Sequence, residues 1–241
     1  MSRVQTPARR AVRKPRPAAA RPETLADLLA VAAALGVPPG RVRLDPLPGT
    51  ATEADLLRRS ESEHLCELVN GTLVDKPMGA PESHVALELG FHLRLYLVSN
   101  PAGYLCGADV LVRLSPGTVR GPDVCFVGWS REPGRAVAPD PVSVVVPHLA
   151  VEVLSKSNRK AEITRKLGEY FAAGVELVWV IDPRARTADV HTAPDTKVTL
   201  AGADALTGGA VLPGFTLPLA TLFAHLRPPP AKPKPAPRKK P

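Results

Sequence analysis

The chain has 241 residues, of which 44% are hydrophobic, and a formal net charge of +8. This length and composition indicate one globular domain with a well-buried core. No apolar run reaches the roughly 18 to 20 residues that a membrane span needs, and the N-terminus lacks the apolar core of a signal peptide. We therefore expect a cytoplasmic protein without a membrane segment. The cysteines are odd in number and have no close pair, so we interpret Cys66, Cys106 and Cys125 as buried thiols rather than a disulfide or zinc framework.

The positive charge is confined to the two ends of the chain. Residues 1–22 carry seven Lys and Arg and residues 227–241 carry six, with no acid in either segment. Residues 23–226 carry 18 basic and 23 acidic residues, so the central part is mildly acidic. We predict that both ends are disordered basic tails, which either hold phosphate backbones without sequence preference or only keep the protein in solution.

Hydrophobic periodicity and chain breakers predict alternating helices and strands. Thr52 and Asp55 have the spacing of a capping box, Asn70-Gly71 is the strongest short hairpin signal, and Asn158 is expected to cap a helix. The predicted elements, in chain order, are helix 25–35, helix 52–59, strands 66–69 and 72–74, helix 81–98, strands 107–114, 122–127 and 148–154, helix 158–173, strand 175–181, edge strands within 187–200, and a short helix over 219–226. This order indicates an α/β fold with one helix on each side of a mixed sheet.

Two acidic residues lie in short apolar runs that predict buried strands. Asp123 belongs to the run 122–127 and Glu152 to the run 148–154. An unpaired carboxylate in an apolar interior costs several kcal/mol, so each acid needs a partner, a raised pKa or a cation. If the two strands are neighbours, both carboxylates can share Mg²⁺, which takes one or two protein carboxylates and completes its shell with waters and phosphate oxygens. The pattern therefore predicts metal-dependent phosphodiester hydrolysis.

The helix predicted after the second acid places three polar side chains on one face. Glu162, Lys166 and Tyr170 follow one another at i, i+4 spacing. Lys166 can then stabilise the charge that develops on a phosphate, or orient the attacking water. The alternative is an ordinary surface ion pair between Glu162 and Lys166, worth a few tenths of a kcal/mol.

Several motifs, in the same order, resemble the Uma-type restriction endonuclease family of the PD-(D/E)XK nuclease superfamily. The motifs span most of residues 52–223 and comprise Glu67 to Val74, Pro122-Asp123-Val124, Val151 to Ser155, Lys166 to Tyr170, Ala173 to Pro183 and Leu212 to Pro218. The resemblance implies a restriction-endonuclease-like α/β core, in which helices flank a mixed β-sheet. It also implies that Asp123 and Glu152 are catalytic metal ligands, with Glu67 as a further candidate acid.

The position of the catalytic lysine departs from the simplest superfamily pattern. That pattern has Lys two residues after the acid, where this chain has Leu154. The resemblance implies that the role moves to the following helix, where Lys166 matches. Lys156 is the rival, because its side chain would point to the same side as Glu152 if the strand continued that far.

The sequence thus predicts a Mg²⁺-dependent DNA endonuclease, with Mn²⁺ as a substitute metal and a homodimer as one expected assembly. Glu162, Tyr170 and Asp109 are further candidates; Asp109 lies on the strand predicted before Asp123 and either borders the site or faces solvent. The alternatives are a non-catalytic DNA-binding or protein-interaction module that retains the fold, and an enzyme acting on RNA. We expect an N-terminal helix and linker over 23–50 and the nuclease domain over 51–226.

Overall fold

The structure, a computed structural model, describes residues 22–62, 65–77 and 79–226. Apart from Pro22, the predicted basic tails lie outside the described residues. The helices are α1 (Leu25–Leu35), α2 (Glu53–Ser62), α3 (Ala80–Ser99), α4 (Lys160–Ala173) and α5 (Leu219–Leu222). The strands are β1 (Cys66–Val69), β2 (Thr72–Asp75), β3 (Gly103–Cys106), β4 (Val112–Ser115), β5 (Thr118–Arg120), β6 (Val124–Gly128), β7 (Leu149–Val153), β8 (Leu177–Asp182), β9 (Thr187–Ala193), β10 (Thr196–Ala201), β11 (Ala205–Gly208) and β12 (Leu212–Pro218). Within the described ranges, no helix is both long and apolar enough to cross a membrane.

A six-stranded mixed sheet forms the centre of the fold, in the order β10-β9-β8-β7-β6-β3. Strands β7 and β8 are parallel and are joined by α4, whereas the other neighbours are antiparallel. Helix α3 buries Val85 and Leu89 against one face of the sheet. Helix α4 buries Leu167 and Tyr170 against the other face. The prediction of a mixed sheet with one helix on each side is therefore confirmed.

A second sheet, in the order β2-β1-β5-β4, lies beside the first and has its own apolar core. The chain leaves this small sheet at Arg120, the end of β5, and enters the large sheet at Val124, the start of β6. Asp123 therefore lies at the junction of the two sheets and precedes the strand in which we predicted it.

The hairpin turn of the small sheet and the capping box of α2 are present as predicted. Asn70 and Gly71 have φ angles of 49° and 70°, the left-handed conformation that both central residues of a type I′ hairpin turn require. The amide of Thr52 donates to Asp55 at 2.8 Å, and the amide of Asp55 donates back to the Thr52 hydroxyl at 3.3 Å. This is the expected capping box at the start of α2.

Helix α1 docks through its C-terminal end. Its last residue Leu35 is buried, whereas Leu25 is 72% exposed, so the apolar residues of this helix are covered only in part. Gly36 ends the helix with φ 70°, and a side chain there would come within 2.8 Å of the backbone of Ala161 in α4. Arg165 of α4 also donates to the Ala34 carbonyl at 3.1 Å. Glycine at position 36 is therefore required both by its φ and by close packing.

Two further predicted boundaries were wrong, and four strands, β3, β5, β11 and β12, were not predicted. Residues 107–114 do not form one strand, because a turn closed by Val110 N–H donating to the Gly107 carbonyl precedes β4. The N-cap of α4 is Arg159 and not Asn158; the side-chain oxygen of Asn158 instead accepts from the Ser155 amide at 2.8 Å. The antiparallel pair β11 and β12 had no separate prediction, since only a short helix was expected after Phe215.

The cysteines are all free, as predicted, but two of them meet in the folded chain. Cys106 of β3 faces Cys125 of β6 in the sheet register. Cys66 and Cys125 are buried, whereas Cys106 is partly exposed. A hydrogen bond with Cys125 lowers the pKa of Cys106 to about 7.

A buried ion pair fixes the N-terminal segment to α4. Arg41 lies in the short 3₁₀ turn Pro39–Arg41, and its two terminal nitrogens each donate to one carboxylate oxygen of Glu162 at 2.9 Å. Its third donor, Nε, bonds the Asp75 carbonyl at 2.8 Å. The Glu162 side chain is 1% exposed, and this guanidinium is the cation that pairs with it.

Replacing Arg41 should destabilise the fold strongly. Because Arg41→Ala leaves the Glu162 carboxylate buried without its cation, we expect the free energy of unfolding to fall by about 3 kcal/mol or more. Urea denaturation followed by circular dichroism measures this change. The matched control is Arg58→Ala, which removes an exposed pair with Asp55 and should change the free energy by at most about 0.5 kcal/mol. Equal effects of the two substitutions would contradict a structural role for the buried pair.

Candidate active site

Asp123 is tied to the strand that carries Glu152. Its amide donates to the Val151 carbonyl at 2.9 Å, and its carboxylate oxygen Oδ2 accepts from the Val153 amide at 2.7 Å. Val151 and Val153 are the residues on either side of Glu152, so the two predicted acids lie together at one end of the neighbouring strands β6 and β7. The prediction of a shared site required that the strands next to the two acids be neighbours, and they are neighbours in the structure.

Glu152 is held by two side chains of α4. Lys166 Nζ donates to one of its carboxylate oxygens at 2.7 Å, and the Tyr170 hydroxyl donates to the other at 2.6 Å. Residues 166 and 170 are one helical turn apart, which places both donors on the helix face that covers the sheet. Lys166 is buried, so it is not part of a surface ion pair with Glu162.

Glu67 of β1 joins this cluster from the small sheet. One carboxylate oxygen lies 3.0 Å from Lys166 Nζ, and the other accepts from Arg120 at 2.7 Å. The Gly121 amide donates a further bond at 3.2 Å. Arg120 also binds Glu169 of α4 and is buried, but the sequence analysis did not single it out. Its one sequence signal is a charged residue at the end of a short strand just before Pro122.

The electrostatics distinguish the two glutamates that share Lys166. Burial, together with the charges of Asp123 and Glu67, raises the pKa of Glu152 although Lys166 opposes this shift. Burial acts in the same direction on Glu67, but the charges of Lys166 and Arg120 hold its pKa well below the usual range. Burial would lower the pKa of Lys166, yet the two carboxylates raise it, so the lysine stays charged. Burial and the nearby carboxylates raise the pKa of Tyr170, which keeps its hydroxyl a donor.

Lys76 is a site residue that the sequence analysis missed. It follows β2 directly, its Nζ lies 2.9 Å from Asp123 Oδ1, and it donates to the Ala108 carbonyl at 3.1 Å. The Asp123 and Lys76 side chains are 17% and 6% exposed. A lysine directly after a short hairpin strand carries no local signal, because its partner is far away in the sequence.

Three other predicted candidates lie away from the two acids. Glu162 is buried but binds Arg41 rather than the site. Lys156 is exposed beyond the end of β7. Asp109 is exposed in the turn between β3 and β4 and not on a strand.

A cavity of about 410 Å³ opens beside Asp123. It lies between α3 and the ends of β2, β3 and β6, and much of its wall is apolar. The charged side chains on its wall are Lys76, Glu82, Arg94 and Asp123. Its volume suits a small ligand or one segment of a longer chain.

The carboxylate oxygens of Asp123 and Glu152 are donors of the kind that a hard divalent cation prefers. A carboxylate offers about four acceptor positions, and the contacts described above use one on each oxygen of Asp123 and Glu152. Across the described ranges, no group of three or more His, Cys, Asp or Glu side chains is arranged to hold a metal ion. Mg²⁺ held here would have at most these two protein carboxylates and would take its remaining oxygens from water or substrate, as is common for this ion.

Comparisons with known proteins agree with this fold. The model of the family Uma2, described as "Putative restriction endonuclease", matches residues 53–220. A similar solved structure is described as "a putative nuclease belonging to DUF820" from Anabaena variabilis; it is 19% identical, has a TM-score of 0.63, and the match covers 72% of this chain and 97% of that chain. At this identity the likeness shows the fold alone. No curated protein matches the chain. Because the family model covers well over half of the chain, the protein belongs to the Uma2 family.

Proposed function

We propose that this protein is a Mg²⁺-dependent endonuclease that hydrolyses phosphodiester bonds in DNA. One observation carries the proposal: Lys166 holds Glu152 beside Asp123, and Asp123 lines an open cavity. Two adjacent carboxylates and a charged lysine are the groups that metal-assisted phosphodiester hydrolysis uses. The descriptions of the family and of the similar structure support the same reaction class.

Asp123 and Glu152 would hold Mg²⁺, or Mn²⁺ in its place, and the bound ion supplies a polarised phosphoryl oxygen and a more acidic water. The surrounding residues fix the two carboxylates before substrate arrives. Tyr170 and Lys166 each hold one oxygen of Glu152, and the Val153 amide holds one oxygen of Asp123. Such preorganisation means that little rearrangement is needed during the reaction.

Lys166 is the proposed catalytic lysine. Two of its three N–H groups serve Glu152 and Glu67, so among the described residues one N–H remains for a water or a phosphate oxygen. Because the ammonium stays charged, it can orient the attacking water or stabilise charge that develops on the phosphate.

Lys76 and Arg94 are the proposed phosphate contacts. Both line the cavity that holds Asp123, and Arg94 is exposed on α3. A cation that meets the backbone phosphate adds affinity without reading the base sequence. The substrate would therefore be held by its backbone at the reacting position.

A non-catalytic DNA-binding or protein-interaction module is the second candidate. One observation favours it: Asp123 and Glu152 already face the ammonium groups of Lys76 and Lys166, so the pairs are neutral without a divalent ion. Titration calorimetry with Mn²⁺ separates the two functions, because the non-catalytic module would give no binding heat that depends on Asp123.

Removing the Asp123 carboxylate should abolish cleavage. We expect the full-length protein to nick or linearise plasmid DNA in the presence of Mg²⁺. Cleavage should stop when EDTA is added, because hydrolysis requires the metal ion. Asp123→Asn should lower the rate by about 10² or more. The matched control is Asp109→Asn, which changes an exposed turn and should retain wild-type activity. Cleavage of RNA but not of DNA in the same assay would contradict the proposed substrate.

The two candidate lysines should differ sharply in their effect on chemistry. We expect Lys166→Met to lower kcat by about 10² or more in single-turnover cleavage, and Lys156→Met to cost less than about tenfold. Lys166→Met also leaves two buried carboxylates without their shared cation, so it should destabilise the fold by about 3 kcal/mol or more. Rates are therefore compared at a temperature where denaturation curves show both variants folded, with Lys166→Arg as the charge-conserving control. An inactive Lys156→Met beside an active Lys166→Met would show that the catalytic lysine follows β7.

The basic ends should add affinity for DNA but no specificity. Their thirteen charges are all positive, and no aromatic residue lies among them. Deleting residues 1–22 and 227–241 should weaken binding and reduce the slope of log K against log salt, by about 0.9 for each phosphate of duplex DNA that the ends neutralise in the full-length protein. Fluorescence anisotropy over a salt series measures this slope. An unchanged slope would show that the ends do not contact phosphate.

A further inference from the structure

The cavity beside Asp123 is bordered by apolar side chains on both of its sides. Helix α3 supplies Ala86 and Leu87, and Leu87 is 74% exposed. The strand ends supply Leu105 of β3 and Val124 of β6. Cations and polar groups hold a phosphate backbone, so these four side chains add nothing to a backbone contact. The cavity therefore suits a part of the substrate that is apolar and lies next to its phosphate.

Charged and polar groups share the same cavity. Lys76 lies 2.9 Å from Asp123, and Arg94 is exposed on the cavity wall. Glu82 and Ser83 come from the first turn of α3. A nucleotide has the matching groups, which are a phosphate, two apolar base faces and a polar base edge. Enzymes that bind a single base hold its faces between apolar or aromatic side chains and bond its edge with polar groups. The volume of about 410 Å³ falls in the range of small-ligand pockets, roughly 300 to 1,000 Å³.

Base pairing decides whether a nucleotide can enter the cavity. In a continuous duplex both faces of each base are stacked and its edge is paired, so the surface that reaches the cavity is sugar and phosphate. Placing a base in the cavity would require the duplex to unstack and unpair it, and this free-energy cost is lowest for a base that is already unpaired. For an unpaired base, burial of its faces against the apolar wall is favourable.

We propose that this cavity holds one unpaired nucleotide beside the phosphate that is cleaved, so that the protein acts on single-stranded or locally unpaired DNA in preference to a continuous duplex. This assignment rests on the proposed function, because it places the reacting phosphate at Asp123. The base lies between α3 and the ends of β3 and β6, and its phosphate reaches Asp123 and Lys76. A continuous duplex would leave the cavity empty and lose the contacts of its apolar wall.

Gly90 offers a way to fill the cavity without disturbing the fold. It lies in the interior of α3 and lines the cavity, as do Leu87 three residues before it and Arg94 four residues after it. A Cβ atom at position 90 would meet no atom within 4 Å, so a larger residue fits there. Alanine and leucine also favour a helix over glycine, so Gly90→Ala and Gly90→Leu should raise the Tm by about 2 to 4 °C.

Matched DNA substrates test the preference for unpaired DNA. The full-length protein with Mg²⁺ is given one labelled strand as a single strand, as a continuous linear duplex, and as a duplex with a short unpaired bubble. Linear substrates are needed because negative supercoiling of a plasmid promotes local unpairing. The single strand and the bubble should be cut at least about tenfold faster than the duplex, since only the duplex must first unpair a base. A duplex that is cut as fast as the single strand would overturn the inference and leave the proposed nuclease function intact.

Binding in EDTA tests the cavity apart from the proposed reaction, because no metal-dependent cleavage takes place. In fluorescence anisotropy, Gly90→Leu should bind the labelled single strand about fivefold or more weakly than wild type, with a smaller loss for Gly90→Ala. All variants are compared at one salt concentration, so the basic ends contribute equally. The matched controls are the same two substitutions at Gly168, which lies in α4 outside the cavity and where a Cβ atom also meets no atom within 4 Å. They should bind like wild type.

The two measurements distinguish the nucleotide site from the nuclease function. Weaker binding by Gly90→Leu without cleavage of any substrate would support the nucleotide site and contradict the nuclease. If Gly90→Leu and Gly90→Ala bind the single strand as tightly as wild type, the cavity does not hold the nucleotide, whether or not the protein cuts DNA. Should Gly90→Leu not fold, as its Tm would show, Gly90→Ala decides the outcome.

Discussion

The ammonium group of Lys166 is the contact on which both the site and the fold depend. It lies 2.7 Å from Glu152 on β7 and 3.0 Å from Glu67 on β1, so one charge joins α4 to both sheets. The loss of Lys166 leaves the buried Glu152 carboxylate without its cation, which costs several kcal/mol. The relative position of the two sheets is therefore tied to the same side chain that the proposed chemistry uses.

Helix α4 forms ion pairs and hydrogen bonds with several separate parts of the chain. Lys166 and Tyr170 hold Glu152, Glu169 binds Arg120 of the small sheet, and Glu162 binds Arg41 of the N-terminal segment. An ordinary amphipathic helix buries apolar residues and exposes charged ones. Here buried charges are compensated by partners from different parts of the chain, so the helix connects the N-terminal segment to the site.

The sequence predicted those features that depend on residues close together in the chain. The hairpin at Asn70-Gly71 and the capping box at Thr52 depend on neighbouring residues. The acids Asp123 and Glu152 were found because each stands in a short apolar run, and the family resemblance implied the same two residues. Contacts between distant segments could not be found in this way. Arg41 and Glu162 are 121 residues apart, so no periodicity links them. Asp109 was misplaced because alternating residues suggested a strand, whereas a backbone bond across Gly107 to Val110 closes a turn there.

Lys76 bears on both candidate functions, the nuclease and the non-catalytic module, because it pairs with Asp123. Its ammonium balances Asp123 at the wall of the cavity, whereas Lys166 balances Glu152 deeper in the protein. Both lysine side chains are buried, but Lys76 balances one carboxylate at the wall of the cavity, whereas Lys166 is shared by two buried carboxylates. In the proposed reaction, a phosphate entering the cavity would compete with Asp123 for Lys76. The Asp123 oxygen that now faces Lys76 would then be available to a cation, while the other oxygen stays held by the Val153 amide and Glu152 stays fixed.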